Sequence, residues 1–290
     1  MHRRELFEMI PDPWRGWIGI RKGRRWLRAV RFANWHNSML PEDAPAVSFY
    51  PMRLEPTAAL AHVLTRLGVR IGHFGAPVEL TVAWETGTWL KDIDFRRLPN
   101  DALNRHCVDI SKTTVDRVWA DLAGYSISLD PLWTTGPLVV KPDQNGRRAG
   151  RVVEGPLRER KTGRVYEKLI DSRDGDKIWS TRVALMCGRI VNAYAKWRPY
   201  PQWFRGHEMT VPVAPDELFS ADEQRLMLQF AVAIGMEYGE LDVLRDKESG
   251  LIYVVDANRT PVRPKGLDPK HDDAWFGPIT EAFAELLKHG

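Results

Sequence analysis

Two runs near the C-terminus, Glu240-Leu241-Asp242-Val243-Leu244 and Tyr253-Val254-Val255-Asp256-Ala257-Asn258, each embed an acid, Asp242 and Asp256, between apolar neighbours. Side chains alternate across a strand with a period of two, so Asp256 and Asn258 share one face. The polar stretch Arg245-Asp246-Lys247-Glu248-Ser249-Gly250 between the runs predicts an antiparallel hairpin, which brings Asp242 opposite that pair. Two carboxylates and an amide are hard oxygen donors, and on a rigid sheet they suit Mg²⁺ held beside substrate phosphates. The alternative is that the acids line the solvent face of the sheet, against which stand their strongly apolar neighbours.

Elsewhere the pattern mixes helix and strand. Alternation in Trp17-Ile18-Gly19-Ile20-Arg21 and in Trp26-Leu27-Arg28-Ala29-Val30-Arg31-Phe32 predicts a hairpin around Lys22-Gly23 with a basic outer face. Ala59, Leu60, Val63, Leu64 and Leu67 recur at helical spacing before Gly68, and Val78 to Trp84 reads as a strand. The polar, turn-forming residues 92–103 then set a boundary between an N-terminal α/β domain, 1–100, and a larger unit, 101–290.

In that unit a helix is expected from Ser111 to Ala123, then strands at 137–141, 165–170, 181–187 and 190–194. Ser220-Ala221-Asp222-Glu223 is a capping box that opens a helix to Ile234, and a last helix is expected over 277–287.

Charge and cysteine content narrow the classes. Lys and Arg number 42 against 38 acids, a net of +4. The first forty residues hold nine of the cations and three of the acids, so the excess is local. Cys107 and Cys187 stand far apart with no metal-ligand spacing, which argues against a disulfide scaffold or structural zinc and for a reducing, cytoplasmic setting. No run is long and apolar enough for a membrane span. The 12 tryptophans are either packing residues or, in part, the lining of a ligand cleft.

Two lysines complete the parts a nucleotide site needs. Lys141 ends an apolar strand and precedes a loop with Gly146 and Gly150, although the GxxxxGK[ST] phosphate-loop pattern is missing. Lys112 begins a helix, where a cation is disfavoured by the dipole unless an anion sits there.

In their order these pieces resemble the ATP-grasp superfamily over roughly residues 104–262. Asn104 with Asp109-Ile110-Ser111-Lys112, then Leu138-Val139-Val140-Lys141-Pro142, are similar to its two phosphate-binding lysine segments. Val165-Tyr166-Glu167-Lys168-Leu169-Ile170 is similar to its adenine-holding hinge, and Thr181 to Ala193 to the strands that present an arginine to the transferred phosphate. Asp242, Asp256 and Asn258, with Pro261 following, match its metal strands.

The resemblance implies an α+β protein in which two mixed α/β lobes sandwich ATP after a small N-terminal α/β domain. It implies a ligase that activates a carboxylate as an acyl phosphate for attack by an amine, with release of ADP and phosphate. The cofactors are then ATP and Mg²⁺, and the substrates a small-molecule carboxylate and an amine or peptide. Lys112, Lys141, Glu167, Lys168, Leu169 and Ile170 would bind nucleotide, and Asp242, Asp256 and Asn258 the metal. Arg182 would stabilise the phosphoryl group in flight, assisted by Lys196 or Arg198. The acid for the ribose would be Asp171, Asp174 or Asp176.

The chain departs from the family pattern at Asp256, where the family carries Glu, and in the loop Asp143 to Gly150, which has Arg147 and Arg148 in place of small residues. Three further possibilities remain open at this level. One is a nucleotide-binding ATP-grasp protein without ligase activity. Another is a nucleic-acid or anionic-polymer module using Arg21 to Arg31 with Trp26 and Trp35. The basic segment could instead meet an anionic acceptor, or be a solvated face. Trp197 to Arg205 is a candidate acceptor wall or a packed surface loop.

Overall fold

The computed structural model describes residues 20–90, 93–146, 149–204 and 209–289. It opens with helix α1 (Ile20–Asn37) where the sequence pattern predicts a hairpin; Trp17 to Gly19 lie outside the described residues. Arg25, Arg28 and Arg31 recur every three residues, which suits a helix better than a strand, and burial agrees. Ala29, Ala33 and His36, at helical spacing, are buried, while Arg24, Arg28 and Arg31 stay exposed. His36 Nε2 lies 2.8 Å from the Val69 carbonyl, and the Asn37 amide bonds both N–H and C=O of Ile71. The basic segment is thus a docked helix, with Arg25 donating to Glu55 at 2.6 Å.

Strand β1 (Ala46–Pro51), helix α2 (Ala59–Leu67), strand β2 (Arg70–Ile71) and strand β3 (Leu80–Trp84) form a parallel sheet in the order β2-β1-β3. Helix α2 stops where expected, at Gly68 with φ 65. Beyond the polar connection, helix α3 (Lys112–Ala123) is capped by Ser111, whose side chain accepts from the Thr114 N–H. Strands β4 (Gly136–Pro142), β5 (Arg151–Gly155) and β6 (Arg164–Lys168) make a small antiparallel sheet, order β5-β4-β6.

The largest sheet is antiparallel and built from β7 (Arg173–Asp174), β8 (Lys177–Met186), β9 (Arg189–Pro199), β10 (Met209–Val213), β11 (Tyr238–Arg245) and β12 (Ile252–Asn258), in the order β10-β9-β8-β11-β12 with β7 on β8. Helices α4 (Pro215–Leu218) and α5 (Ala221–Ala233) precede β11, and α5 carries the expected capping box between Ser220 and Glu223. Helix α6 (Asp272–His289) closes the chain. It starts five residues before the predicted helix because Trp275 and Phe276 are needed in the core, and Pro278 is carried inside it.

The two faces of this sheet have different cover, and that difference positions the site. Val183, Leu185, Leu241 and Val243 pack against α3 and α5 residues such as Trp119 and Phe230. The opposite face is apolar only at one end, where Ala184, Met186, Tyr194 and Tyr238 share a buried cluster with α2, α6 and the parallel sheet. Asn104 joins these parts from a left-handed conformation (φ 62), its amide accepting from the Glu237 and Tyr238 N–H groups and donating to the Tyr238 carbonyl at 2.6 Å. The other end of that face is polar.

Candidate active site

The predicted hairpin exists, with Asp242 directly opposite Asp256 and Glu240 opposite Asn258. A bulge makes this possible. Between the pairs Asp242↔Asp256 and Val243↔Val254 the register skips Val255, so Ile252 and Val254 stay in the helix-facing core while Asp256 and Asn258 turn to the opposite face. Without the extra residue, burying Val254 would bury Asp256 beside it.

Neighbouring strands extend the polar row. Arg182 of β8 lies opposite Asp242 on one side and Tyr194 of β9 on the other, and Lys196 follows Tyr194 at the same parity. The Arg182 guanidinium grips Asp242 with Nε to Oδ1 at 2.5 Å and Nη2 to Oδ2 at 2.6 Å, and reaches Glu240 Oε2 with Nη1 at 3.2 Å. Lys196 Nζ adds a contact of 3.2 Å to Asp242 Oδ1. Burial works against ionisation of Asp242, yet Arg182 and Lys196 outweigh it and hold the carboxyl well below its usual range.

Asp256 lacks such a partner. Its Oδ2 has Lys112 Nζ at 3.8 Å, and burial pushes its carboxyl up to about 6 despite Lys112, with the Asp242 charge adding to the rise and Lys141 opposing it. An under-neutralised carboxylate beside an amide, Asn258, is the donor set a hard cation takes. Asn258 Oδ1 now accepts the Thr260 N–H at 3.1 Å. Among the described residues no group of three or more His, Cys, Asp or Glu forms a metal cluster, so any metal here rests on two carboxylates and the amide.

The two lysines hold protein oxygens. Lys112 Nζ donates to Asn145 Oδ1 at 2.8 Å, and Lys141 Nζ lies 2.6 Å from Glu167 Oε2, with Glu167 buried. Asp143 accepts the Thr113 N–H at 2.9 Å and Asn145 bonds the carbonyls of Ile110 and Ala257, so the loop after β4 is tied to the start of α3 and the end of β12. Arg147 and Arg148 lie outside the described residues. Lys168 faces away from this cluster toward Asp246, at 2.9 Å, and the Ile170 side chain is buried against Ile127 and Tyr253. Of the ribose candidates, Asp171 is held by both arms of Arg173. Arg198 Nη1 donates to the Trp203 carbonyl, bracing the Trp-rich segment.

Three residues of the site carry no role in the sequence reading. Glu240 was legible, since it shares strand parity with Asp242. Asn145 and Arg259 were not, because their partners come from other segments. Arg259 is fully buried and donates to the carbonyls of Glu85, Gly87 and Cys107, fastening the end of β12 to loops 85–87 and 107–109.

Glu240 yields a stability prediction. It is 1% exposed and its Oε1 has no hydrogen-bond partner; burial pushes its carboxyl up to about 7, only partly offset by Arg182. The folded chain therefore keeps the proton to a higher pH than the unfolded chain, so stability falls as pH rises between the ordinary value and about 7, then levels. Glu240→Gln removes that slope. It is expected to match the parent near about pH 4 and to exceed it by about 3 kcal/mol near about pH 8, as read by urea melts at both values.

Comparison with known proteins agrees at the level of fold. No protein-family model matches the sequence, and no curated protein matches it. Among solved structures, the chain is similar to the ATP-grasp ligase PsnB complexed with precursor peptide PsnA2 and AMPPNP, at TM-score 0.57 and 14% identity, over 84% of this chain and 97% of that one. It is also similar to D-alanine–D-alanine ligase from Bacillus anthracis, at TM-score 0.51 and 14% identity, over 85% and 99% of the two chains. The chain has the ATP-grasp fold, with a parallel three-stranded sheet and two antiparallel sheets.

Proposed function

We propose that this protein is an ATP- and Mg²⁺-dependent ligase that joins a carboxylate to an amine through an acyl phosphate. The observation that carries the proposal is the polar row on one sheet face, in which Arg182, Lys196, Asp242, Asp256 and Asn258 converge with Lys112 of α3. Residues 1–100 would form a preceding domain and 101–290 the ATP-grasp unit. The free thiols of Cys107 and Cys187 are in keeping with a reducing compartment such as the cytoplasm.

Attack of a carboxylate on a polyphosphate needs charge neutralisation and alignment more than covalent help. Asp256 and Asn258, with Asp242 across the hairpin, would hold Mg²⁺, which when bound would supply Lewis-acid neutralisation of the phosphate oxygens. Lys112 and Lys141 exchange their present oxygen partners, Asn145 and Glu167, for phosphate oxygens. The segment Glu167 to Ile170 would hold the adenine, through its backbone where Lys168 and Ile170 turn their side chains elsewhere. Arg182 orients the transferred phosphoryl group, because a planar guanidinium holds two oxygens at once. The carboxylate oxygen forms a bond to the γ-phosphorus as the bond to ADP breaks. The amine then attacks the acyl carbon, phosphate leaves, and the amine proton passes to solvent or a carboxylate, with Lys196 steadying the acyl phosphate.

PsnB has been seen with a precursor peptide and the Bacillus enzyme joins D-alanine, so a peptide and a small amino acid are both within the proposed substrate class. The test is release of ADP against pools of carboxylic acids and amines, with AMP as the product that contradicts an acyl-phosphate route. Asp256→Ala is expected to abolish that turnover, by at least about a hundredfold, while the melting temperature stays near that of the parent. Retained turnover would remove the metal assignment. A second reading, nucleotide binding without transfer, is favoured by one observation: Nε and both terminal nitrogens of Arg182 are engaged by Asp242 and Glu240. A thermal shift with MgATP and no phosphate release in any pool would support it.

A further inference from the structure

The small β5-β4-β6 sheet has a second concave face. Lys141 and Glu167 pair on one side of it, and the residues next to them in the chain, Val140 and Tyr166, stand opposite each other on the other side. There a cavity of about 470 Å³ opens, floored by Val140, Val153, Leu157 and Tyr166. Its rim carries four cations, Arg151, Arg158, Lys161 and Arg164, against one acid, Glu159. The strand register builds this arrangement, since Arg151 of β5 and Tyr166 of β6 flank Val140 in one row. The Tyr166 hydroxyl accepts the Lys161 N–H at 2.7 Å, which fixes the rim loop over the floor.

The rim cations are under-neutralised. Among the described residues Arg151, Arg158 and Arg164 make no ion pair, and Lys161 has only Glu159 at 3.9 Å. Arg160, within the same segment, is paired with Asp130 at 2.6 Å, as Arg66, Arg189, Arg245 and Arg263 are with acids elsewhere. Converging guanidinium groups repel one another unless an anion lies between them, and they match phosphate or carboxylate oxygens in pairs. The volume is that of a small-molecule site, and the apolar floor suits a flat or hydrocarbon body.

We propose that this cavity binds a small, multiply charged anion with an apolar body, bearing phosphate or carboxylate groups, at a site back to back with the Lys141–Glu167 pair and separate from it. The proposal does not depend on the ligase reading.

Calorimetric titration of the full chain with trimesate and with naphthyl phosphate tests it, and the stronger of the two identifies the anionic group. Saturable one-to-one binding is expected, weakened at least about tenfold by the double change Arg151→Glu and Arg164→Glu. It should survive the control Arg96→Glu with Arg117→Glu, which alters charge equally at exposed pairs elsewhere. It should also survive excess MgAMPPNP. Arg158→Glu, in the rim loop, is expected to weaken binding in the same direction and serves if the strand variants melt early. Binding lost to MgAMPPNP, binding that does not saturate, or equal loss in the control overturns the proposal. So does tighter binding of a single-stranded oligonucleotide that is abolished by the same rim changes.

Discussion

Asp242→Ala is expected to cost about 3–5 kcal/mol of folding stability, the usual cost of stripping a buried ion pair of one partner. Both Asp242 oxygens receive the Arg182 fork and one also meets Lys196, so the variant leaves two cations on a mostly buried face without the carboxylate that pairs with both. Asp242→Asn keeps the shape and discriminates charge from packing: a loss nearly as large as that of Ala assigns the effect to charge. The pH dependence has a definite sign. The Asp242 carboxyl is held below its ordinary range in the fold, so its stabilisation is present above that range and is lost as pH falls toward the folded value. Urea melts across acid pH should therefore show a shallower acid limb for both variants. A loss under about 1 kcal/mol would mean that the pair contributes no more than an exposed one.

Arg182→Met carries the second large effect. If Arg182 orients the phosphoryl group in flight, turnover should fall by about 10³-fold or more while the KM for ATP changes little, because the contact is made chiefly in the transition state. Arg182→Lys keeps a charge but cannot grip two oxygens in one plane, and an intermediate loss is expected. Steady-state kinetics on whichever carboxylate and amine the ADP screen identifies, with circular dichroism as the check on folding, decides the matter. A parallel rise in KM with unchanged kcat would instead assign Arg182 to nucleotide binding.

Much of this site was legible because its residues lie on one hairpin. Period-two alternation and a polar connection were enough to predict the hairpin and the shared face of Asp256 and Asn258, while the bulge set the pairing of Asp242 with Asp256. Capping chemistry likewise located α3 and α5, since Ser111 and Ser220 bond within a few residues of themselves. The basic N-terminal stretch misled for the converse reason. Its short apolar-basic repeats look strand-like although Arg25, Arg28 and Arg31 are three apart, and the surface on which the helix docks is supplied by Val69 and Ile71, more than thirty residues away. The bulge at Val255 carries no local signal, because it is forced only when Val254 must face α3 and α5 while Asp256 faces the other way.

The sequence by itself determined that Asp256 and Asn258 share a strand face, where α3 and α5 start and stop, and that acids sit in the apolar strands β11 and β12. These are consequences of local periodicity and of bonds made within a turn. The tertiary structure alone decided that β8 inserts beside β11, so that Arg182 meets Asp242, that Asn145 and Glu167 occupy the two lysines, and that Arg259 is buried on three carbonyls. Each of those contacts joins residues more than twenty positions apart. Their partners are chosen by the packing of whole sheets and by the need to satisfy every buried charge, which no window of sequence contains.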